Sequence, residues 1–373
     1  MWHELERETQ ERARVGRRRE LRVLREGLLD AASNDYLGLA RHPEVIEGAC
    51  NAAREFGGGA RASRLVSGNF SLLGELERRL AEFKNTQAAL VFSSGFAANV
   101  GVLPALAHSD TLLCCHKRNH ASLLDGCRLA EAKGAQTRFW ETTAKLELLL
   151  ARSSATRKIV VADGVFSMDG DVLPLPEVLA LCETHDAVLI LDDAHGTGVM
   201  GASGKGTAEH FGLTSERILT VGTLSKSLGS QGGFVCGPRI AIDFLLGQAP
   251  SFIYSTGLNP AAVGAALAAL RVLEREPERA LRCRENARIL AERLRTLEFD
   301  ARFQGSAIVP VMVGDEHKTL ALSAQLEARG VWCPAIRPPT VARGTSRLRL
   351  AASSEWGEEE LGKIMGAFRK CSD

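Results

Sequence analysis

The sequence predicts an α/β fold, with a large domain on a mainly parallel, mixed sheet and a smaller α+β domain towards the C-terminus. Three observations carry that expectation. From about residue 44, short and continuously apolar β-prone runs alternate with helical patterns, as in a sheet covered by helices on both faces. The alternation stops at one long helical segment, 260–297. Beyond it a shorter set follows, with two strand-like runs and two helices.

Each element has a local reason. Residues 2–26 interleave Glu and Arg with few apolar positions, which predicts a charged, peripheral helix. With the turn-rich stretch 33–39 it makes an N-terminal helical arm, 1–43. The runs 88–92, 111–115, 158–162, 187–192, 217–222 and 232–236 are short and apolar, as buried strands are. Helices at 72–84, 95–106 and 174–185 precede or separate them. The large domain accordingly spans 44–258 and the small C-terminal domain 259–373. The latter holds strands at 307–313 and 347–351, and helices at 320–329 and from 355 onward. No internal repeat or low-complexity linker interrupts the chain.

Composition narrows the function. With 373 residues the chain can bury a sizeable core, and 45% hydrophobic with 24% charged residues is ordinary for a globular protein. A formal net charge of +1 gives no reason to invoke nucleic acid or an acidic membrane surface. The basic cluster Arg12, Arg14 and Arg17 to Arg19 is interleaved with glutamates and reads as a solvated helix face. No long uncharged apolar run resembles a membrane span, and Met1-Trp2-His3-Glu4 lacks a signal-peptide profile. Nine cysteines lie scattered with no Cys-x-x-Cys pair, which predicts thiols buried in a protein of the reducing cytoplasm.

The functional reading begins at Lys226, in Thr223-Leu224-Ser225-Lys226-Ser227-Leu228-Gly229, directly after the predicted strand 217–222. Taken alone, a lysine in such a loop is a solvated surface residue. The strand 187–192, however, ends in Asp192-Asp193-Ala194-His195-Gly196. A lysine and an aspartate at the ends of neighbouring strands are what pyridoxal phosphate chemistry needs. The lysine forms a Schiff base with the aldehyde, and the carboxylate keeps the pyridine nitrogen protonated so that the ring draws electrons. Ser93-Ser94-Gly95-Phe96 precedes a helix, and small residues there leave N–H groups for an anion. Alone it is an N-cap; beside Lys226 it becomes a cradle for the cofactor phosphate, to which Thr223 adds a hydroxyl. His120, in Arg118-Asn119-His120-Ala121-Ser122, is placed to stack on a pyridine ring. The stretch from Asp163 to Asp171 suits a tight active-site loop and equally a plain turn.

Spacing disfavours other chemistries. His116 and His120 are four apart but have no glutamate between them and no third ligand, so no metal is expected. The 163–171 loop lacks the closing glutamate of a calcium site. Gly57-Gly58-Gly59 follows no strand and is not a dinucleotide fingerprint, and Gly204-Lys205-Gly206 lacks the Ser/Thr of a P-loop. Thr223-x-x-Lys226 has threonine where penicillin-interacting enzymes have serine, with no Lys-Thr-Gly after it.

Five stretches together resemble the α-oxoamine synthases. They are Ser33-Asn34-Asp35-Tyr36-Leu37-Gly38-Leu39, Asn119-His120-Ala121-Ser122, Gly164 to Asp171, Asp192 to Gly198 and Thr223 to Lys226. These are fold-type-I pyridoxal phosphate enzymes, which join an amino acid to an acyl thioester with loss of CO₂. The resemblance runs from about Ser33 to Leu350 with the motifs in order. Ala335-Ile336-Arg337-Pro338-Pro339-Thr340-Val341 with Gly344 to Arg349 is most similar to the biotin-pathway branch, which uses L-alanine and a pimeloyl thioester of CoA or acyl carrier protein.

The resemblance implies roles. Lys226, His120 and Asp192 are the catalytic group, with His120 stacked on the ring and Asp192 at its nitrogen. Ser167 and His195 bond the phenolic oxygen, and Ser94, Gly95, Phe96 and Thr223 face the phosphate. Ser255 and Thr256 resemble the segment a partner subunit lends to that phosphate site, which implies a homodimer. Arg349 holds the amino-acid carboxylate with Asn34 nearby, while Thr340 and an N-terminal arginine, taken as Arg17, meet substrate. Departures touch the acyl side: Asp163 stands where many relatives have glutamate, Gly59 to Arg64 is less glycine-rich, and Ala342-Arg343 replaces a proline-containing pair. Three alternatives stay open: a sister synthase using glycine or serine with another acyl-CoA, an aminotransferase using no thioester, and a non-catalytic partner subunit. The last is expected to lack the Schiff-base lysine, which is present here.

Overall fold

The computed structural model describes residues 1–14, 17, 19 and 21–371. The chain divides into two compact units: a larger one of Asp35–Ser167 and Asp171–Arg282, and a smaller one of Met1–Asn34, Met168–Gly170 and Cys283–Asp373. The boundaries expected at residues 43 and 258 therefore differ from the observed ones. The predicted helix 260–297 is two helices, Pro260–Arg275 and Glu278–Arg295, because Pro277 has no N–H to continue the first. Pro260–Arg275 packs in the larger unit against Pro43–Phe56, where Gly264 and Gly48 let the two backbones approach closely.

The larger unit is built on a seven-stranded sheet. Its order is Ala88–Phe92, Gly233–Gly237, Ile218–Thr223, Ala187–Asp192, Arg157–Asp163, Thr111–His116 and Gln136–Trp140. Gly233–Gly237 runs antiparallel to both neighbours, and every other neighbouring pair is parallel. Successive side chains point to opposite faces, so Leu113, Val161, Ile190 and Val221 join one apolar cluster, and Cys114, Val160, Leu189 and Leu191 the other. The six expected strands are found within a residue at each end. The seventh, Gln136–Trp140, was not expected: it lies on the sheet edge with three exposed positions, so it carries no continuous apolar run.

In the parallel part, chain direction brings strand C-termini to one edge. Asp163 pairs in register with Asp192, and Asp192 with Val221, two residues before the end of its strand, so the C-terminal ends of three adjacent strands gather there. Ligands of open α/β sheets bind at this edge.

The smaller unit holds a four-stranded antiparallel sheet in the order Ala335–Ile336, Ser346–Ala351, Ile308–Gly314, Asp300–Ala301. Leu290, Val309, Val311, Leu348, Leu350 and Phe368 are part of its core. Leu29–Asp30 pairs in parallel with Val331–Trp332, which ties the N-terminal arm into this unit. The helix of that arm ends at Arg14 rather than near 26, and it buries no side chain that tertiary packing would reward. Among the described residues no helix is long and apolar enough to cross a membrane.

Candidate active site

The strand ends of the larger unit open into a cavity of about 260 Å³. Ser94, Gly95, Phe96, Asn99, His120, Ser122, Asp163, Val165, Asp192, Ala194, His195, Thr223, Ser225 and Lys226 line it. Lys226 follows the strand Ile218–Thr223, and its Nζ lies 2.8 Å from His195 Nε2. The other ring nitrogen of His195, Nδ1, lies 2.6 Å from the buried Tyr36 hydroxyl. A line of three proton-carrying groups thus runs from the cavity into the core.

Asp192 ends its strand with its carboxylate held on both oxygens. Oδ2 accepts from Asn99 Nδ2 at 2.6 Å and Oδ1 from the Ala194 N–H at 3.0 Å. Asn99 also donates to Ser122 Oγ at 2.9 Å. Two charge-directed donors fix one carboxylate geometry, which suits a partner of fixed position such as a ring nitrogen.

His120 caps the helix Ala121–Glu131, and its Nδ1 lies 2.7 Å from Ser122 Oγ. Its ring is accessible through the cavity, yet desolvation by the surrounding protein lowers its pKa, and the nearby Lys226 adds to this against the opposing pull of Asp192. A neutral imidazole favours face-on packing against a cationic ring. The His120 N–H donates to the buried Asp163 carboxylate at 3.1 Å. Burial first, and then the facing charge of Asp192, push the Asp163 carboxyl well above the usual range. The two carboxyls at this sheet edge thus differ in surroundings: that of Asp163 is buried, and that of Asp192 is held by two donors.

Ser94 caps Gly95–Leu106, a helix expected to the residue, and accepts from the Ala97 N–H at 3.0 Å. The first N–H groups of a helix have no intrahelical acceptor, so those of Gly95 and Phe96 at the cavity wall suit an anion. Thr223 Oγ1 lies 2.9 Å from the Gly232 carbonyl, to which it donates, and 2.6 Å from Ser225 Oγ.

Other expected residues are not among those that line the cavity. Ser167, half-buried in the turn after Phe166, and Ser255 and Thr256, beyond the short helix Pro250–Ile253, are not among the cavity-lining residues. In the smaller unit, the buried Arg349 donates to Asn34 Oδ1 at 3.1 Å. Arg17 is paired with Glu316 at 3.0 Å, and Thr340 accepts from Arg19 at 3.1 Å.

Sequence reasoning missed Asn99, Ser122 and Tyr36 as members of the site. One signal was available: Asn99 is the one polar residue of the helix GFAANVGVLPAL. A polar group at such a position must find a partner.

The aminotransferase class I and II family matches residues 26–368. A putative 8-amino-7-oxononanoate synthase of Syntrophotalea carbinolica is 45% identical over 344 residues, 91% of this chain and 88% of that one. The 8-amino-7-oxononanoate synthase of Mycolicibacterium smegmatis is 45% identical over 355 residues, 94% and 92% of the two chains. Among solved structures, a serine palmitoyltransferase with a PLP internal aldimine superposes with TM-score 0.88 at 31% identity, covering 92% of this chain and 87% of its own. An 8-amino-7-oxononanoate synthase from Francisella tularensis, at 24% identity and TM-score 0.78 over 93% and 98%, shares the fold.

Proposed function

The chain belongs to the aminotransferase class I and II family, and we propose that it condenses L-alanine with a pimeloyl thioester. The products are 8-amino-7-oxononanoate, CO₂ and the carrier thiol, a step of biotin biosynthesis. The chain is an enzyme of the fold-type-I class, and its cofactor is pyridoxal 5′-phosphate.

The residues present fit that group. The cavity joins an amine (Lys226), a carboxylate fixed by two donors (Asp192), a neutral imidazole (His120) and a helix N-terminus for a phosphate. The single observation that carries the reading is Lys226 Nζ at 2.8 Å from His195 Nε2, in the same cavity as Asp192.

When bound, pyridoxal phosphate supplies a ring that draws negative charge away from the substrate Cα. The protein does the rest. Asp192 would keep a proton on the ring nitrogen, and His120 would cover the ring. Ser94, Gly95, Phe96 and Thr223 would hold the phosphate, while His195 and Ser167 would bond the phenolic oxygen. Lys226 would hold the aldehyde carbon, and its free amine would take and return the proton at the substrate Cα. Arg349 and Asn34 receive the amino-acid carboxylate, so that the Cα–H bond is held in one orientation. Arg17 and Thr340 meet the acyl substrate.

The choice of alanine and a pimeloyl chain is supported by the named relatives and by Arg337-Pro338-Pro339-Thr340, where two prolines restrict the backbone that presents Thr340. The working form is a homodimer in the cytoplasm, in which Ser255 and Thr256 of each subunit complete the phosphate site of the other. CoA or an acyl carrier protein brings the acyl group.

The test is a product-mass assay on purified protein with pyridoxal phosphate. Alanine, glycine and serine are each offered against pimeloyl, acetyl and succinyl thioesters on CoA and on acyl carrier protein. Alanine with the pimeloyl thioester is expected to dominate. Preference for a two- or four-carbon acyl group assigns the chain to a sister reaction, and transamination without any acyl transfer removes the synthase reading altogether.

A further inference from the structure

We propose that Lys84 is a positioning residue for the catalytic turn, acting on Asp192 and His195 through the intervening Asp193. The proposal rests on the reading of the cavity above. It begins with the paired acids Asp192-Asp193 at a strand end, where adjacent side chains leave on opposite sides. Asp192 lines the cavity. Asp193 faces away from it and meets Lys84, which lies just past the helix Ser71–Phe83.

The contact is buried and complete. The side chains of Lys84 and Asp193 are 3% and 2% exposed. The three ammonium protons of Lys84 have three acceptors: Asp193 Oδ2 at 2.9 Å, Thr197 Oγ1 at 2.7 Å and the Lys205 carbonyl at 2.6 Å. Asp193 Oδ1 accepts from Thr207 twice, from Oγ1 at 2.6 Å and from the N–H at 3.1 Å. Its carbonyl accepts from the N–H groups of Gly196 and Thr197, which closes the turn that carries His195.

Gly204-Lys205-Gly206, unexplained as a phosphate loop, has a place here. Lys205 supplies a carbonyl to the ammonium. Gly206 adopts φ +114°, and a Cβ there would lie 1.8 Å from Asp193 Oδ2 and 2.8 Å from Lys84 Nζ. A side chain would occupy the space of the ion pair, so glycine is required both for conformation and for room.

The turn is therefore clamped from outside by Lys84 and presents Asp192 and His195 inside. Removing the ammonium takes away the three contacts that hold the turn, and where Asp193 is kept it also leaves that carboxylate buried without its counter-charge; in both cases the turn moves. The 2.8 Å contact from His195 to Lys226 does not survive a shift of about 1 Å as a good hydrogen bond.

A second cavity, about 400 Å³, borders Lys84, Asp193, Lys205, Glu209 and Thr220, and offers a small cation a route to the pair. Three variants use these features, all studied with pyridoxal phosphate bound: Lys84→Met, the double variant Lys84→Met/Asp193→Asn, and Lys84→Ala. The double variant leaves no lone buried charge. It should melt close to the wild-type temperature and keep the KM for alanine, yet turn over about tenfold or more slowly. The pH at which the visible absorbance of its bound cofactor changes should also move. Propylammonium, which matches the atoms deleted in Lys84→Ala, should restore part of the lost turnover and the wild-type absorbance titration, while tetramethylammonium, with no N–H, should restore neither. Wild-type turnover with an unchanged titration in the double variant overturns the proposal. So does a loss of turnover that merely tracks the fraction of protein folded or loaded. If the wild type joins no acyl thioester at all, the proposed function fails by itself, and the absorbance titration still decides the role of Lys84.

Discussion

Replacing Gly233 by alanine tests whether the Ser94–Phe96 backbone is the phosphate cradle. Gly233 opens the strand Gly233–Gly237 and pairs with Phe92 and Thr223. A Cβ on it would lie 2.3 Å from the Ser94 carbonyl oxygen and 2.4 Å from the Gly95 nitrogen. Both are backbone atoms, which no rotamer change can move aside. Ordinary contact begins at 3.4 Å, so the strand and the helix start must part by about 1 Å. Overpacking of that kind costs about 1–3 kcal/mol of stability. The effect on an anion is more specific. A charge-assisted N–H···O contact is worth about 1.5–3 kcal/mol, and lengthening it by about 1 Å takes it out of hydrogen-bonding range. Loss of one or two such contacts weakens phosphate binding by about 2–4 kcal/mol, or roughly thirty- to a thousandfold. The assay titrates apoprotein with pyridoxal phosphate and, separately, with pyridoxal, which has no phosphate. Gly233→Ala should lose affinity for the first and little for the second. If both affinities fall by the same factor, or neither falls, the cradle is not at Ser94–Phe96.

Borohydride reduction of the loaded protein should leave a phosphopyridoxyl group on the peptide containing Lys226; recovery on a different lysine refutes its role. Asp192→Asn should retain some cofactor but lose exchange of the alanine Cα proton in deuterated water, since it cannot hold the ring nitrogen protonated; exchange at the wild-type rate removes that assignment. Arg349→Gln should raise the KM for alanine about tenfold or more while the bound cofactor absorbs as in the wild type, because a bidentate charged partner is lost from the substrate alone. His116 makes a prediction about pH. Burial, and then the Arg118 charge, lower its pKa from 6.5 to about 4. Below pH 6.5 the unfolded chain takes up this proton first, so the stability present above pH 6.5 is lost as the pH falls towards 4. The loss is at most about 3 kcal/mol, and His116→Phe should remove it from a denaturation series across that range.

Much of the site was legible along the chain because it sits where elements end. Lys226, Asp192 and His120 are each within a few residues of a strand terminus, and an apolar run that stops at a charged residue marks such a place in any sequence. The helix Gly95–Leu106 was legible to the residue, because Ser94 supplies a side-chain cap and the segment after it is apolar but for Asn99. The edge strand Gln136–Trp140 was not, since half-exposed alternation over five residues is a weak pattern. Nor was the division into units, because the pairing of Leu29–Asp30 with Val331–Trp332 joins segments some three hundred residues apart.

What the sequence by itself determined was which residue types stand at strand ends and in what order: the lysine, the aspartate, and the small residues that open a helix. What only the tertiary structure decided was their support. Asn99 reaches Asp192 across 93 positions, Tyr36 reaches His195 across 159, and Lys84 reaches Asp193 across 109. Local propensity acts over a few residues, whereas a buried polar group takes whatever partner the packed sheet and helices bring within 3 Å. That partner is set by register and by which faces meet, and neither is written in the spacing of residues along the chain.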